Sequence, residues 1–425
     1  MKINVLIFPA GEVNSVELHQ ALSTCVNIKV FGASSVERHG PYVFKNYIGG
    51  LPRILEPDFF DAFNTLLDNN KIDVVFPTHD SIAEFFSQNQ ERIKTKVIVA
   101  APETSKVCRD KFLTYEHFKN DGFCPTLYHS SADIQAYPVF IKPSQGQGSV
   151  GAAPCYSASD MESVDFSTYV VSELLPGEEL TVDCITDRHG ELKLAAPRSR
   201  QRVMAGISVA SETQALTEEI AHIAKTINAK LKFLGLWFFQ IKKDVNGKYK
   251  LLEVATRCAG TMCLTRAKGA NLALLSVYAV LGNDIDVIVN DQALTVDRTL
   301  INRYKLDYKY DTVYYDFDDT ITLEGSVNLT AIRYLYQCFN KKIKVILITK
   351  HKHNIHETLG TYGIHELLFS EIIHLKPHEH KIDHISPERA IFIDNSFVER
   401  KAVAQKFKIP VFDVDAIEVL LDWRL

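Results

Sequence analysis

The stretch YPVFIKPSQGQGSVG, residues 137–151, sets Lys142 at the end of a β-rich run and follows it with Gly146, Gly148 and Gly151. Apolar Val139, Phe140 and Ile141 predict a strand. Glycines let backbone N–H groups approach a phosphate closely, and a lysine at the loop's start supplies a point charge. Glycine loops also serve as plain hairpins, so the flanking residues carry the decision. Upstream, Arg109 and Lys111 precede a helical stretch, CRDKFLTYEHF, and are placed to reach the same phosphates. Downstream, VVSELLPGEELTVD sets Glu173 on a strand, then a short hinge, Gly177 and Glu179. A hinge backbone can read a base edge, and Glu179 can accept from two ribose hydroxyls. Further on, Gln240 in WFFQIKK and Glu253 in YKLLEVATR sit on successive strands, as metal-binding oxygens would.

Around this centre the chain reads as three pieces. Residues 1–105 alternate β-rich runs (INVLIF, NIKVFGA, DVVFPT, KVIVAA) with amphipathic stretches such as PDFFDAFNTLLDNN, which predicts parallel strands with crossover helices. The turn after the first strand lacks GxGxxG, so a dinucleotide site is unsupported. Pro77–Thr78–His79–Asp80 falls at a strand's carboxyl end, where open sheets place ligand groups; Asp80 as a helix cap is an equal reading. Residues 106–300 are an α+β segment with helices at TEEIAHIAKTINAK and NLALLSVYAVLG. From residue 301 to 425 strand–helix alternation returns in TVYYDF, KVILITK, RAIFID and IPVFDV. The expected class is a multidomain α/β and α+β protein.

Composition narrows the function classes. Apolar residues make up 46% and charged residues 23%, the balance of a globular chain. A net charge of −5 gives no reason to expect a nucleic-acid partner. The opening MKINVLIFPAG is too short in apolar residues for a signal peptide or a membrane span, and no later run is long enough. Eight scattered cysteines without a CxxC pair read as reduced core residues. Together these predict a cytoplasmic protein with small-molecule substrates.

The carboxyl-terminal piece has its own signature. VYYDFDDTIT places Asp316 and Asp318 after a buried strand, and side chains two apart on an extended segment point the same way. Two converging carboxylates repel unless a divalent cation neutralises them, and oxygen ligands favour Mg²⁺. One carboxylate can attack phosphorus while the other moves the leaving group's proton. Thr349 ends the strand VILITK, Lys381 (or its neighbour Lys376) follows, and Asp394 ends AIFID. Eight of the fifteen histidines fall between His351 and His384, in no tetrahedral ligand spacing, which predicts a solvated face.

Residues 1 to about 300 resemble the ATP-grasp superfamily, closest to its carbamoyl-phosphate-synthetase-like carboxylate–amine ligases. The resemblance implies a Rossmann-like lobe followed by two α+β lobes with ATP between them. It implies Arg109, Lys111, Lys142, Gly148 and Ser149 at the phosphates, the Glu173–Leu175 hinge and Glu179 at the nucleoside, and Gln240 and Glu253 at Mg²⁺ (or Mn²⁺). Arg198, Arg200 and Arg202 would grip a carboxylate or acyl phosphate, with Arg202 nearest the nucleotide, and Arg257 would hold the acceptor. Such ligases phosphorylate a carboxylate and let an amine or amino acid attack it, and a homodimer is compatible with the family. The family's Glu–x–Asn–x–Arg reads Glu253–Val254–Ala255–Thr256–Arg257 here, so one metal ligand is missing. The last 120 or so residues resemble the haloacid dehalogenase (HAD) superfamily without a cap. That implies Asp316 as nucleophile, Asp318 as acid/base, Thr349 and Lys381 at the phosphate, and Asp316, Asp318 and Asp394 around Mg²⁺. The family's usual second acid is Asn395 here. The expected protein couples ligation to phosphate-ester hydrolysis. The alternatives are a HAD phosphatase with a non-catalytic ATP-binding module, and an ATP-grasp kinase of a small acid or amide.

Overall fold

A computed structural model describes residues 2–146, 148, 150–204 and 206–424. Its contacts separate two units, one ending at Leu300 and the other running Ile301–Arg424.

The first unit opens on a parallel sheet of β1 (Ile3–Phe8), β2 (Ile28–Ala33), β3 (Asn46–Ile48), β4 (Val74–Pro77) and β5 (Lys96–Val97), in the order β3-β2-β1-β4-β5. β1 and β4 are buried along nearly their whole length, as strands covered on both faces must be. On one face the helix Phe59–Asn69 presents Phe59, Phe63, Leu66 and Leu67 at helical spacing. Phe63 meets Phe8 at 5.3 Å between ring centroids and Phe86 at the same distance.

A second sheet, β6 (Leu127–Tyr128), β7 (Val139–Pro143), β8 (Ala153–Cys155) and β9 (Tyr169–Glu173), is antiparallel in the order β6-β9-β7-β8. Then come β10 (Glu179–Thr186), β11 (Leu192–Ser199), β12 (Arg202–Met204), β13 (Ile207–Glu212), β14 (Gly235–Lys243), β15 (Tyr249–Ala255) and β16 (Thr295–Asp297). Four of these make the sheet β11-β10-β14-β15, and the other three the sheet β12-β13-β16. The period of two sorts the four-stranded sheet into faces. Leu180, Val182, Cys184, Trp237 and Phe239 pack with Ile220, Ile223 and Ile227 of the helix Glu218–Lys230. On the opposite face, cross-strand neighbours align Arg198, Thr181, Gln240 and Glu253 in one row. The expected boundary near residue 105 does not isolate a core. Leu272, Ala273 and Val277 share one hydrophobic cluster with Val5, Ile7 and Leu18 of the first sheet.

The second unit carries β17 (Thr312–Tyr315), the short pair β18 (Thr322–Leu323) and β19 (Ser326–Val327), then β20 (Lys344–Thr349), β21 (Glu371–His374), β22 (Ala390–Ile393) and β23 (Val411–Phe412). Its five-stranded parallel sheet runs β21-β20-β17-β22-β23. The helix Leu329–Lys341 is capped by the Asn328 side chain and buries Tyr334, Leu335 and Cys338 against it. No helix among the described residues is long and apolar enough to cross a membrane.

Candidate functional sites

In the first unit the row Arg198–Thr181–Gln240–Glu253 borders two adjoining cavities. The smaller, about 160 Å³, is bounded by Lys111, Lys142, Glu179, Gln240 and Glu253, with Phe140, Ala152 and Leu252 as an apolar wall. Lys142, at the penultimate position of β7, is buried; its ammonium donates to the Tyr115 hydroxyl at 2.5 Å and to the Leu252 carbonyl at 2.9 Å. Burial, reinforced by the nearby Lys111 charge, lowers its pKa to about 7. Lys111 has no side-chain partner among the described residues, and neither do the oxygens of Gln240 and Glu253. Two cations without a carboxylate partner therefore face two unpaired oxygen donors.

The glycine loop is tied down from both sides. The Lys111 backbone N–H donates to the Ser144 carbonyl at 2.9 Å, and the Arg109 guanidinium donates to the Gly146 carbonyl at 3.2 Å. A Cβ on Gly206, which has φ of +75°, would lie 2.2 Å from the Gly148 backbone, so position 206 needs glycine for this approach. Arg109 ends the helix Pro102–Arg109 and Lys111 begins the helix Lys111–Phe118. Between them Asp110 caps the second by accepting from the N–H groups of Phe112 and Leu113.

The larger cavity, about 260 Å³, shares Lys111, Gln240 and Glu253 with the smaller and extends to Asp80, Arg198 and Arg257. Arg257 Nε lies 2.8 Å from Asp80 Oδ1, and its guanidinium lies over the Phe238 ring at 5.2 Å. Burial opposes the Asp80 charge, yet Arg257 and Arg109 outweigh it and hold the carboxyl below its usual range. His79, not Asp80, caps the helix Asp80–Gln88 through its side chain, so the cap reading of Asp80 gives way to an ion pair. Arg198 forms a buried pair with Asp183 at 2.9 Å and donates to Thr261.

Several expected site residues lie elsewhere or are otherwise engaged. Glu173 accepts from the Thr126 N–H at 2.8 Å, and Leu175 is buried; neither borders the cavities. Glu179 does border the smaller cavity but is already paired with Arg200 at 2.6 Å. Arg202 is a correction: β12 turns it outward, where it is half exposed and pairs with Asp297 at 2.8 Å. Arg200 instead lines both cavities, because it belongs to the same alternating face as Arg198. Ser149 lies outside the described residues. Ala255 borders the larger cavity and brings no ligand oxygen there.

In the second unit Asp316 follows β17 and Asp394 follows the neighbouring β22. Both are buried, and the Lys381 ammonium lies 2.6 Å from each. Lys376 is exposed, so the structure selects Lys381 of the two. Burial raises the Asp316 pKa to about 6, against the pull of Lys381. Burial also opposes the Lys381 charge, but its two carboxylates prevail and raise its pKa. Buried Thr349 ends β20 and accepts from the His351 N–H at 3.2 Å.

Asp318 departs from the expectation of side-by-side carboxylates. β17 ends at Tyr315, and the chain turns through Asp319 at φ +52°, so strand alternation no longer applies. The Asp318 carboxylate is half exposed and contacts His351 Nδ1 at 2.8 and 3.0 Å. Among the described residues no three or more histidines, cysteines or acids are grouped to hold a metal ion. Sequence reasoning passed over Glu399. It is five residues beyond Asp394 on the helix Phe397–Phe407, its carboxylate is close enough to push the Asp394 pKa upward, and it pairs with Lys350 at 2.9 Å. The signal was an acid one turn into the helix after Asp394.

Comparison with known chains shows what the first unit is similar to. Residues 165–300 match a family model described as "ATP-grasp in the biosynthetic pathway with Ter operon". The chain is 28% identical over 121 residues to the 3-methyl-D-ornithine–L-lysine ligase of Methanosarcina barkeri; the match spans 28% of this chain and 32% of the relative, about a third of its length. The biotin carboxylase domain of Hydrogenobacter thermophilus 2-oxoglutarate carboxylase superposes with a TM-score of 0.57 at 15% identity, covering 69% of this chain and 73% of that one. An L-amino acid ligase from Bacillus licheniformis superposes with a TM-score of 0.51 at 15% identity, covering 66% and 74%. The chain carries an ATP-grasp fold.

Proposed function

We propose that the first unit is an ATP-dependent carboxylate–amine ligase and that the second is a HAD-type phosphohydrolase. The observation that carries the ligase reading is the opposition of Lys111 and Lys142, neither in contact with a carboxylate, to the unpaired oxygens of Gln240 and Glu253 across one small cavity. Cations without carboxylates suit phosphate oxygens, and paired oxygens suit the metal that accompanies them. Lys111, Lys142 and the Gly148 loop hold the phosphates, with Arg109 bracing that loop. The apolar wall of Phe140, Ala152 and Leu252 takes the base, and Glu179 the ribose. Gln240 and Glu253 fit Mg²⁺, which when bound draws charge from the phosphate oxygens.

A carboxylate oxygen of the acceptor bonds to the terminal phosphorus of ATP as the bond to ADP breaks. An amine then attacks the acyl carbon, phosphate leaves, and the amine gives up a proton. Arg257 holds and orients the acceptor carboxylate. A second reading, a nucleotide-binding module without turnover, is favoured by Ala255, which supplies no ligand oxygen.

In the second unit Asp316 attacks the phosphorus of a phosphate ester, and Asp318 delivers the leaving group's proton. Thr349 and Lys381 hold the phosphoryl oxygens. Asp316 and Asp394 already converge on one cation, the Lys381 ammonium, and so fit Mg²⁺ as well; Glu399 supplies the acid that Asn395 does not. A protein from the cytoplasm acting on small molecules is consistent with both halves.

The test is ADP and phosphate release with Mg²⁺ and ATP over pools of carboxylates, amines and amino acids. ADP release that needs a carboxylate, disappears in Lys142→Ala and survives in Asp316→Asn supports the ligase. Tight ATP binding with no ADP release would favour the module instead.

A further inference from the structure

Nothing so far says which carboxylate the larger cavity takes. Its wall presents Arg257 and Asp80 side by side, with 2.8 Å between guanidinium and carboxylate. Asp80 Oδ2 makes no hydrogen bond to a described residue, so Arg257 satisfies only half of that carboxylate. The other arginines of the wall are engaged, Arg198 by Asp183, Arg200 by Glu179, and Arg109 by the Gly146 carbonyl and Ser81. Arg257, by contrast, pairs with Asp80 and donates from Nη1 to the Cys258 carbonyl at 3.0 Å, but has no hydrogen bond from Nη2 to a described residue. Two further groups point to a polar ligand. The hydroxyls of Ser105 and Thr181 line the cavity, are 2% and 1% exposed, and have no hydrogen-bond partner among the described residues. A buried hydroxyl left unpaired is costly, so each is suited to a ligand's polar atoms.

A ligand bearing only a carboxylate would meet Arg257 favourably but would set its charge against Asp80. A ligand with only an ammonium would meet the reverse conflict. Adjacent opposite charges on the wall match adjacent opposite charges on a ligand, and their contact distance requires the two ligand groups to be neighbours. We propose that the larger cavity binds an α-amino acid as its zwitterion, with Arg257 holding the carboxylate and the free oxygen of Asp80 holding the ammonium. Ser105 and Thr181 then meet the remaining polar atoms. This rests on the ligase reading and narrows its acceptor to the α-amino acid class. Asp80 acts here as a selecting group, because it discriminates against the same carbon skeleton without nitrogen.

The experiment uses the full chain with Mg²⁺, ATP and hydroxylamine, which displaces phosphate from an acyl phosphate to leave a hydroxamate. ADP and hydroxamate are measured for the twenty proteinogenic amino acids and for the matching carboxylic acids without the α-amino group. The amino acid used best should exceed its des-amino partner in kcat/KM by about 10- to 100-fold, the worth of one charged hydrogen bond. Asp80→Asn should remove most of that preference, both by lowering use of the amino acid and by raising use of its partner, and Asp80→Glu should restore part of it. Unchanged MgADP affinity in both variants establishes that they are folded. Equal use of amino acids and des-amino acids by the wild type, or a preference that survives Asp80→Asn in the folded variant, overturns the proposal and leaves the ligase standing. ADP release with neither class, by a protein that binds MgADP, overturns both.

Discussion

The chain contains two five-stranded parallel sheets with the same strand order, β3-β2-β1-β4-β5 in the first unit and β21-β20-β17-β22-β23 in the second. In each, the first strand lies between its second and fourth neighbours, so the strand order reverses beside it and opens a crevice at the carboxyl ends. The residues placed there differ. β17 and β22 end in Asp316 and Asp394, and their counter-ion, Lys381, comes from the same unit. β1 ends in Phe8–Pro9–Ala10, with no acid, while Asp80 just beyond β4 finds its cation, Arg257, after a different sheet. One crevice draws its charged groups from its own unit, and the other contributes one wall to a site built from three sheets. Topology sets where a ligand goes, and the strand-end side chains set what is done to it.

Two buried lysines sharpen the contrast. Lys381 contacts two carboxylates and its pKa rises, while Lys142 contacts none and burial lowers its pKa to about 7. The first is suited to completing a site that already holds charge, the second to gaining its charge when an anion arrives.

The largest expected effect is in the self-contained crevice. Asp316→Asn should lower Mg²⁺-dependent hydrolysis of p-nitrophenyl phosphate at least about 10³-fold, as loss of an attacking group does, without touching ADP release. Retention of most of that turnover would remove Asp316 as the nucleophile. Next, Lys142→Met should cut carboxylate-dependent ADP release by about 10²-fold and leave phosphate-ester hydrolysis intact. A parallel loss in both assays would break the separation of the two centres. Glu399→Gln should raise the Mg²⁺ concentration for half-maximal hydrolysis by about tenfold at similar saturating turnover. An unchanged metal requirement would leave Asp394 with some other second acid.

The smallest effect is a fraction of a proton. With a pKa of about 7, Lys142 is charged below neutrality and loses its charge above it. Bound phosphates favour the ammonium, so MgADP binding at pH 7 should take up about half a proton, and affinity should fall as pH rises through that value. Titration calorimetry in two buffers of different ionisation enthalpy measures the uptake, and Lys142→Met should lack it. Equal uptake in that variant would assign the proton to another group.

Much of the framework was legible in order along the chain, because strands, caps and glycine loops are local chemistry. The residues at the ends of β7, β17, β20 and β22 were recognisable from apolar runs ending in Lys142, Asp316, Thr349 and Asp394. The reading failed where an extended segment was assumed to continue. Asp318 falls in a turn, and Arg202 sits beyond the bend that separates β12 from β11. It also missed Glu399, whose relation to Asp394 depends on the helix Phe397–Phe407 beginning where it does.

By itself, then, the sequence determined the alternating elements, the glycine loop with its lysine, and the succession of acids at strand ends. Each follows from neighbours within a few residues, where periodicity and backbone preference act. Only the tertiary structure decided that Lys381 rather than Lys376 is the buried cation, that Arg200 faces the cavities and Arg202 does not, and that Asp80 belongs with Arg257. Those pairings join groups far apart in the chain, and a charge settles against whichever partner the packed sheets bring within a few ångströms of it.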